Sequence, residues 1–103
     1  MKITDRFTQP QIESIYKLIS GLNDCNTNPL SSCKIKGLST YIDANNNFIC
    51  TYVMESWGDR DGKRIEIIYR RVDTMGNTMD MLPLYSTEES LNKSISKMEK
   101  ITL

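Results

Sequence analysis

The apolar positions of this chain follow two different periods. From Phe7 to Leu22 they recur at helical spacing, with Ile12, Ile15, Tyr16, Ile19 and Leu22 forming one stripe. Thr8 and Gln11 are spaced as a capping box, T-x-x-Q, in which each side chain satisfies a free backbone N–H. Phe7 and Ile12 stand at the two positions of a hydrophobic staple, and Pro10 falls in the first turn, where its missing N–H costs nothing. The spacing predicts a helix over 7–22 that stops at Gly21. The Asn-, Ser- and Pro-rich stretch from Asn23 to Ser32 has no period and reads as a loop.

Beyond it the period changes to two. Lys34–Asp43 reads as a strand with Ile35, Gly37, Ser39 and Tyr41 on one side and Lys36, Leu38, Thr40 and Ile42 on the other, Gly37 either weakening it or marking a bulge. Asp43 to Asn47 is turn chemistry. Phe48–Trp57 and Lys63–Val72 are two long strands joined by the loop Gly58 to Gly62. Phe48, Cys50, Tyr52 and Met54 alternate with Ile49, Thr51, Val53, Glu55 and Trp57, so neither face is cleanly polar. Two-sided apolar strands are central strands, or strands whose second face meets a partner. After a turn at Asp73–Asn77, Thr78–Leu82 is a short strand ended by Pro83. Ser86 with Glu89 makes a second capping box, opening a helix from about Thr87 to Ile101 with a stripe of Leu91, Ile95 and Met98. The order α-β-β-β-β-α predicts one α+β domain over 1–103: a four-stranded antiparallel meander with the N-terminal and C-terminal helices on one face.

Charge and composition narrow the chemistry. There are 13 basic and 13 acidic residues, which argues against broad attraction to nucleic acid or an anionic membrane. Histidine is absent, removing the commonest general base and zinc ligand. Cys25, Cys33 and Cys50 form no C-x-x-C motif, Cys50 reads as a small buried hydrophobe, and three free thiols are expected. The opening Met1-Lys2-Ile3-Thr4-Asp5-Arg6 lacks a signal peptide's apolar run and no segment reaches transmembrane length, so a reducing, cytoplasmic setting is expected. Plentiful Ile, Asn, Ser and Lys, with a single alanine at Ala44, suit an AT-rich coding genome such as that of a phage or mobile element.

Several groups of side chains invite a site. Asp59 and Asp61 beside Glu55 have the chemistry of a divalent-cation site but are ordinary turn residues at this position. Asp43–Asn47 begins like a calcium loop, yet Phe48 stands where glycine is needed and Met54 where the bidentate glutamate belongs. Arg60, Lys63, Arg64, Arg70 and Arg71 share the long hairpin with Tyr52, Trp57 and Tyr69, a combination that can stack unpaired bases, but Asp59, Asp61, Glu66 and Asp73 interleave and neutralise it. Met75, Met79, Met81, Leu82, Pro83, Leu84 and Tyr85 form a Met-rich stretch of the adaptable kind used at binding surfaces.

The sequence therefore predicts a small non-catalytic protein-binding domain, an inhibitor or adaptor acting on a host protein, with no cofactor or metal. Its expected contact residues are Trp57, Tyr69 and Arg71 on the hairpin and Met75, Met79, Met81 and Tyr85 at the Met-rich edge. Apolar groups left on the uncovered face also predict a homodimer. The alternative is a ligand or single-stranded nucleic-acid binder using the open sheet face.

Overall fold

The computed structural model describes residues 5–30, 32–58, 62–81 and 87–102. Its elements in chain order are α1 (Gln9–Thr27), β1 (Cys33–Ile42), β2 (Phe48–Gly58), β3 (Gly62–Val72), β4 (Thr78–Asp80), α2 (Glu88–Ile95) and β5 (Glu99–Ile101). The strands form one antiparallel sheet in the order β4-β3-β2-β1-β5, which makes the protein α+β with five strands instead of four. No described helix is long and apolar enough to cross a membrane.

The N-terminus of α1 is built as its sequence requires. Thr8 Oγ1 accepts from Gln11 N at 3.3 Å and Gln11 Oε1 accepts from Thr8 N at 3.2 Å, closing the capping box, while Phe7 and Ile12 are both buried. Phe7 also meets Phe48 edge to face, ring centroids 5.8 Å apart. The helix does not stop at Gly21 but runs to Thr27. A helical glycine costs about 1 kcal/mol, whereas Leu22 is buried and Cys25, one turn on, packs against the same core. Continuing the stripe outweighs the glycine. Tyr16, placed in the stripe by spacing alone, is exposed on the outer side of α1.

Two turns at one end of the sheet share a single design. Asp43-Ala44-Asn45-Asn46-Asn47 joins β1 to β2, and Asp73-Thr74-Met75-Gly76-Asn77 joins β3 to β4. In the first, Asp43 Oδ1 accepts from the backbone N–H of Asn45 and Asn47, both at 2.9 Å; in the second, Asp73 Oδ1 accepts from Met75 and Asn77, again both at 2.9 Å. The fourth residue of each is left-handed, Asn46 at φ 64° and Gly76 at φ 86°. This is the three-residue hairpin loop that ends in an αL residue. Both turns receive the first turns of α1. Thr8 Oγ1 donates to Thr74 O and Ser14 Oγ to Gly76 O, each at 2.6 Å, and the fully buried Gln11 donates through Nε2 to Asn46 O at 2.8 Å and Val72 O at 3.0 Å.

The two helices lie on opposite faces of the sheet, not on one. Phe48, Cys50, Tyr52 and Met54 of β2 pack in a core with Ile12, Ile15 and Leu22 of α1. The alternate residue Ile49 packs in a second core with Tyr69, Met81 and Leu91, bordered by Ile95 and Met98. The period-two pattern was apolar on both sides because both sides are covered. In β1 an extra residue between Lys36 and Ser39, with Gly37 at φ 65°, shifts the register. Ile35 and Ile42, which simple alternation sets on opposite faces, therefore share the α1 core.

The C-terminal helix is also shorter than its periodicity suggests. Its cap is Thr87, whose Oγ1 accepts from Ser90 N at 3.1 Å; the expected cap Ser86 lies outside the described residues, as do Leu82 and Pro83 of the fourth strand. The helix ends at Ile95, and residues 99–101 pair with Thr40–Ile42 of β1 instead. The strand places Ile101 in the α1 core, lets Thr40 Oγ1 donate to Ile101 O at 2.7 Å, and brings Glu99 onto Arg6 at 2.9 Å. Two further helical turns would have left the β1 edge unpaired there.

We expect Gln11→Leu to destabilise the fold by about 2–4 kcal/mol, because it strands the buried Val72 carbonyl together with the part-buried Asn46 carbonyl and Thr8 N–H. Gly76→Ala should cost about 1–3 kcal/mol through its left-handed φ, compounded by a Cβ placed 2.7 Å from Pro10 O. Urea midpoints at unchanged m would check both.

No disulfide joins Cys25, Cys33 and Cys50. Burial pushes the Cys50 thiol up to about 11, with nearby Arg70 opposing the rise. In native protein we expect a chromogenic disulfide reagent at pH 8 to label the half-buried Cys25 and Cys33 but spare Cys50 until the fold is opened with denaturant.

Candidate binding surface

The helices are unequal covers. α1 has 19 residues, about 28 Å of helix at 1.5 Å per residue. α2 has 8, roughly 12 Å by the same measure. β2 and β3 each run for 11 residues, about 36 Å of strand. On its own face α2 can shield only the part of the hairpin near Ile49 and Tyr69, and no described residue covers the other end.

Among the apolar residues of that face, exposure rises with distance from α2. Ile49 and Tyr69 are buried, Val53 and Ile67 opposite one another are half-buried, and Ile65 and Trp57 are 61% and 48% exposed. Between them Glu55 is sunk among its neighbours and held by two ammonium groups, Lys63 Nζ at 3.2 Å and Lys36 Nζ at 3.3 Å. Lys63 also sits 5.9 Å from the Trp57 ring centroid. The hydrogen bond from Lys63, seconded by Lys36, holds the Glu55 carboxyl below its ordinary range against the opposing effect of desolvation. The result is an apolar strip of Val53, Ile67, Ile65 and Trp57 with a compact ion-paired group at its centre.

The contact residues expected from sequence do not all fall here. Trp57 does. Tyr69 and Met81 are core residues beneath α2, which leaves them no surface to offer. Arg71 is half-buried, its guanidinium 3.1 Å from the Met79 sulfur, at the opposite end of β3 beside the exposed Met75 and Met79. Tyr85 lies outside the described residues, as do Asp59, Arg60 and Asp61. Ile65 and the Lys36–Glu55–Lys63 group were missed. Their signal was the register, since Ile65 is the residue opposite Glu55 in the hairpin.

The basic residues of the hairpin do not form one strip. Lys63 and Arg71 alternate with Arg64 and Arg70 along β3 and so point to opposite faces, and Arg64 is 3.8 Å from Glu66. Among the described residues no cluster of three or more Cys, Asp or Glu side chains is placed to hold a metal ion. Compared with known proteins, the chain matches no family model, no curated protein and no solved structure.

Glu55, Asp73 and Glu99 are all held below the ordinary carboxylate range, by Lys63, by the Asn77 N–H and by Arg6 respectively. A carboxylate with a lowered folded-state value contributes stability that is complete above its unfolded value and is lost as pH falls through the folded one. We expect the urea midpoint to be flat near neutrality and to fall below about pH 4, with Glu55→Gln showing a shallower fall.

Proposed function

We propose that the chain is a small non-catalytic protein-binding domain whose contact surface is the end of β2 and β3 beyond the reach of α2. The observation that supports this is the adjacent exposure of Trp57 and Ile65 on one face, flanked by Val53 and Ile67. Contiguous apolar surface of this kind marks an interaction site, and tryptophan is the residue most enriched where binding energy concentrates. The ion-paired Lys36, Glu55 and Lys63 supply polar groups that a partner can pair with on docking. The AT-rich bias of the composition fits an inhibitor or adaptor encoded by a phage or mobile element, with a host protein as its partner.

The competing reading is single-stranded nucleic acid, favoured by Lys63 beside the exposed Trp57 ring, since an aromatic with a neighbouring cation can stack an unpaired base. Trp57 is the only tryptophan, so its fluorescence reports directly on both readings. Oligonucleotides should leave the emission unchanged; quenching that salt reverses would favour the second reading instead. In affinity capture from a host lysate, a partner retained by wild type and by Met79→Glu but lost with Ile65→Glu or Trp57→Ala is the expected result. A partner indifferent to Ile65 and Trp57 would refute this surface.

A further inference from the structure

The two long outer edges of this sheet are treated differently. Along β1 the exposed edge is occupied: β5 pairs with residues 40–42, the bulge at Gly37 interrupts the next stretch, and the Asn26 side chain takes both backbone groups of Ile35, at 2.7 and 3.0 Å. These are the ways a sheet avoids pairing with another chain. On the far side of β3, β4 covers only Arg70–Val72, and Met81 N adds one bond to Tyr69 O at 3.0 Å. No described residue pairs with the outer side of Lys63–Ile67.

The direction of the Lys63–Ile67 edge follows from the bond between Met81 N and Tyr69 O. Tyr69 O accepts from Met81, so the backbone of Tyr69 points away from β2. The β2–β3 register is unbroken, and backbone direction alternates along a strand, so Ile67, Ile65 and Lys63 also aim their N–H and C=O groups outward. The side chains there read Lys63-Arg64-Ile65-Glu66-Ile67. About Ile65 this order is self-complementary: reversing the strand sets arginine opposite glutamate.

We propose that two copies of the chain pair through this edge, β3 against β3, antiparallel about a two-fold axis at Ile65. In that register Ile65 exchanges both backbone hydrogen bonds with its counterpart, and Lys63 does the same with Ile67 of the second copy. Arg64 falls opposite Glu66 of the second copy, twice by symmetry, at the non-hydrogen-bonded positions where side chains approach most closely. Within one chain Arg64 and Glu66 meet only at 3.8 Å and are 71% and 44% exposed, so both are free to turn toward the second copy. Pairing sets Ile65 beside its twin on the same face and joins the two five-stranded sheets into one. The Trp57 face stays open and becomes continuous across the axis. The inference concerns the edge and does not rest on the binding role of that face.

Sedimentation velocity of the full chain over a concentration series tests it, with circular dichroism to confirm folding. Wild type should be a dimer. Arg64→Glu and Glu66→Arg each set like charges opposite one another at both symmetric contacts and should weaken dimerisation by about tenfold or more. The double exchange R64E/E66R restores opposite charges and should restore the dimer. Ile65→Pro removes an N–H that no described residue uses, which an edge strand tolerates, and should give folded monomers. Wild type that stays monomeric at every concentration overturns the proposal. So does a double exchange no better than the single ones, or a dimer that survives Ile65→Pro. If one single variant fails to fold, Ile65→Pro and the double exchange still decide. A dimer whose Trp57 face captures no protein supports the edge and removes the face reading; a monomer whose captured partner is lost with Ile65→Glu does the reverse.

Discussion

The carboxamide of Gln11 ties three separate parts of this fold together. It is fully buried, its oxygen closes the cap of α1, and its two amide hydrogens reach the β1–β2 turn and the last residue of β3. The Val72 carbonyl is buried and would otherwise lack a partner, and the part-buried Thr8 N–H and Asn46 carbonyl are tied to the same side chain. One side chain thereby sets the height and rotation of α1 over the sheet. The left-handed residues of the twin turns complete the fit: Asn46 turns its amide to Arg6 O at 2.6 Å, and Gly76 admits Pro10 at a distance no side chain allows.

From that anchor the remaining architecture follows by coverage. α1 is long enough to roof its face, and Ile15, Phe48 and Val72 are wholly enclosed beneath it. Each such side chain contributes about 1.5–3 kcal/mol by leaving water. α2 shields one end of the other face, where Leu91 meets Ile49 and Tyr69, and stops. Among the described residues nothing covers the other end, and Trp57 and Ile65 are exposed there. Edge management follows the same division. The chain spends Asn26, β5 and a bulge on protecting β1 but leaves the outer side of Lys63–Ile67 unpaired among the described residues.

Much of the candidate surface was hidden in sequence by ambiguity between the two faces. Trp57 could be singled out as a large aromatic near a turn, and Met75 and Met79 as members of a Met-rich stretch. Tyr69 and Met81 look equally suitable as letters, yet both are enclosed by α2. What separates them from Trp57 is their distance along the strand from an eight-residue helix, and no local pattern carries that length comparison. Ile65 went unnoticed for the converse reason: an isoleucine in an apolar strand reads as core until its cover is seen to end.

The sequence by itself determined the features that depend on neighbours in the chain. The capping box at Thr8 and Gln11, the staple of Phe7 and Ile12, the Asp-led turns and the two long strands all arise from side chains satisfying backbone a few residues away, and they appear where the spacing put them. Tertiary structure decided the rest, because it turns on competition between distant segments. Residues 99–101 are expected at the end of a helix but pair with the β1 edge. Gly21 should have ended α1, but Leu22 and Cys25 had a core to reach. The helices parted to opposite faces because one alone cannot cover strands apolar on both sides, and which residues stayed exposed was settled only by where the shorter helix ran out.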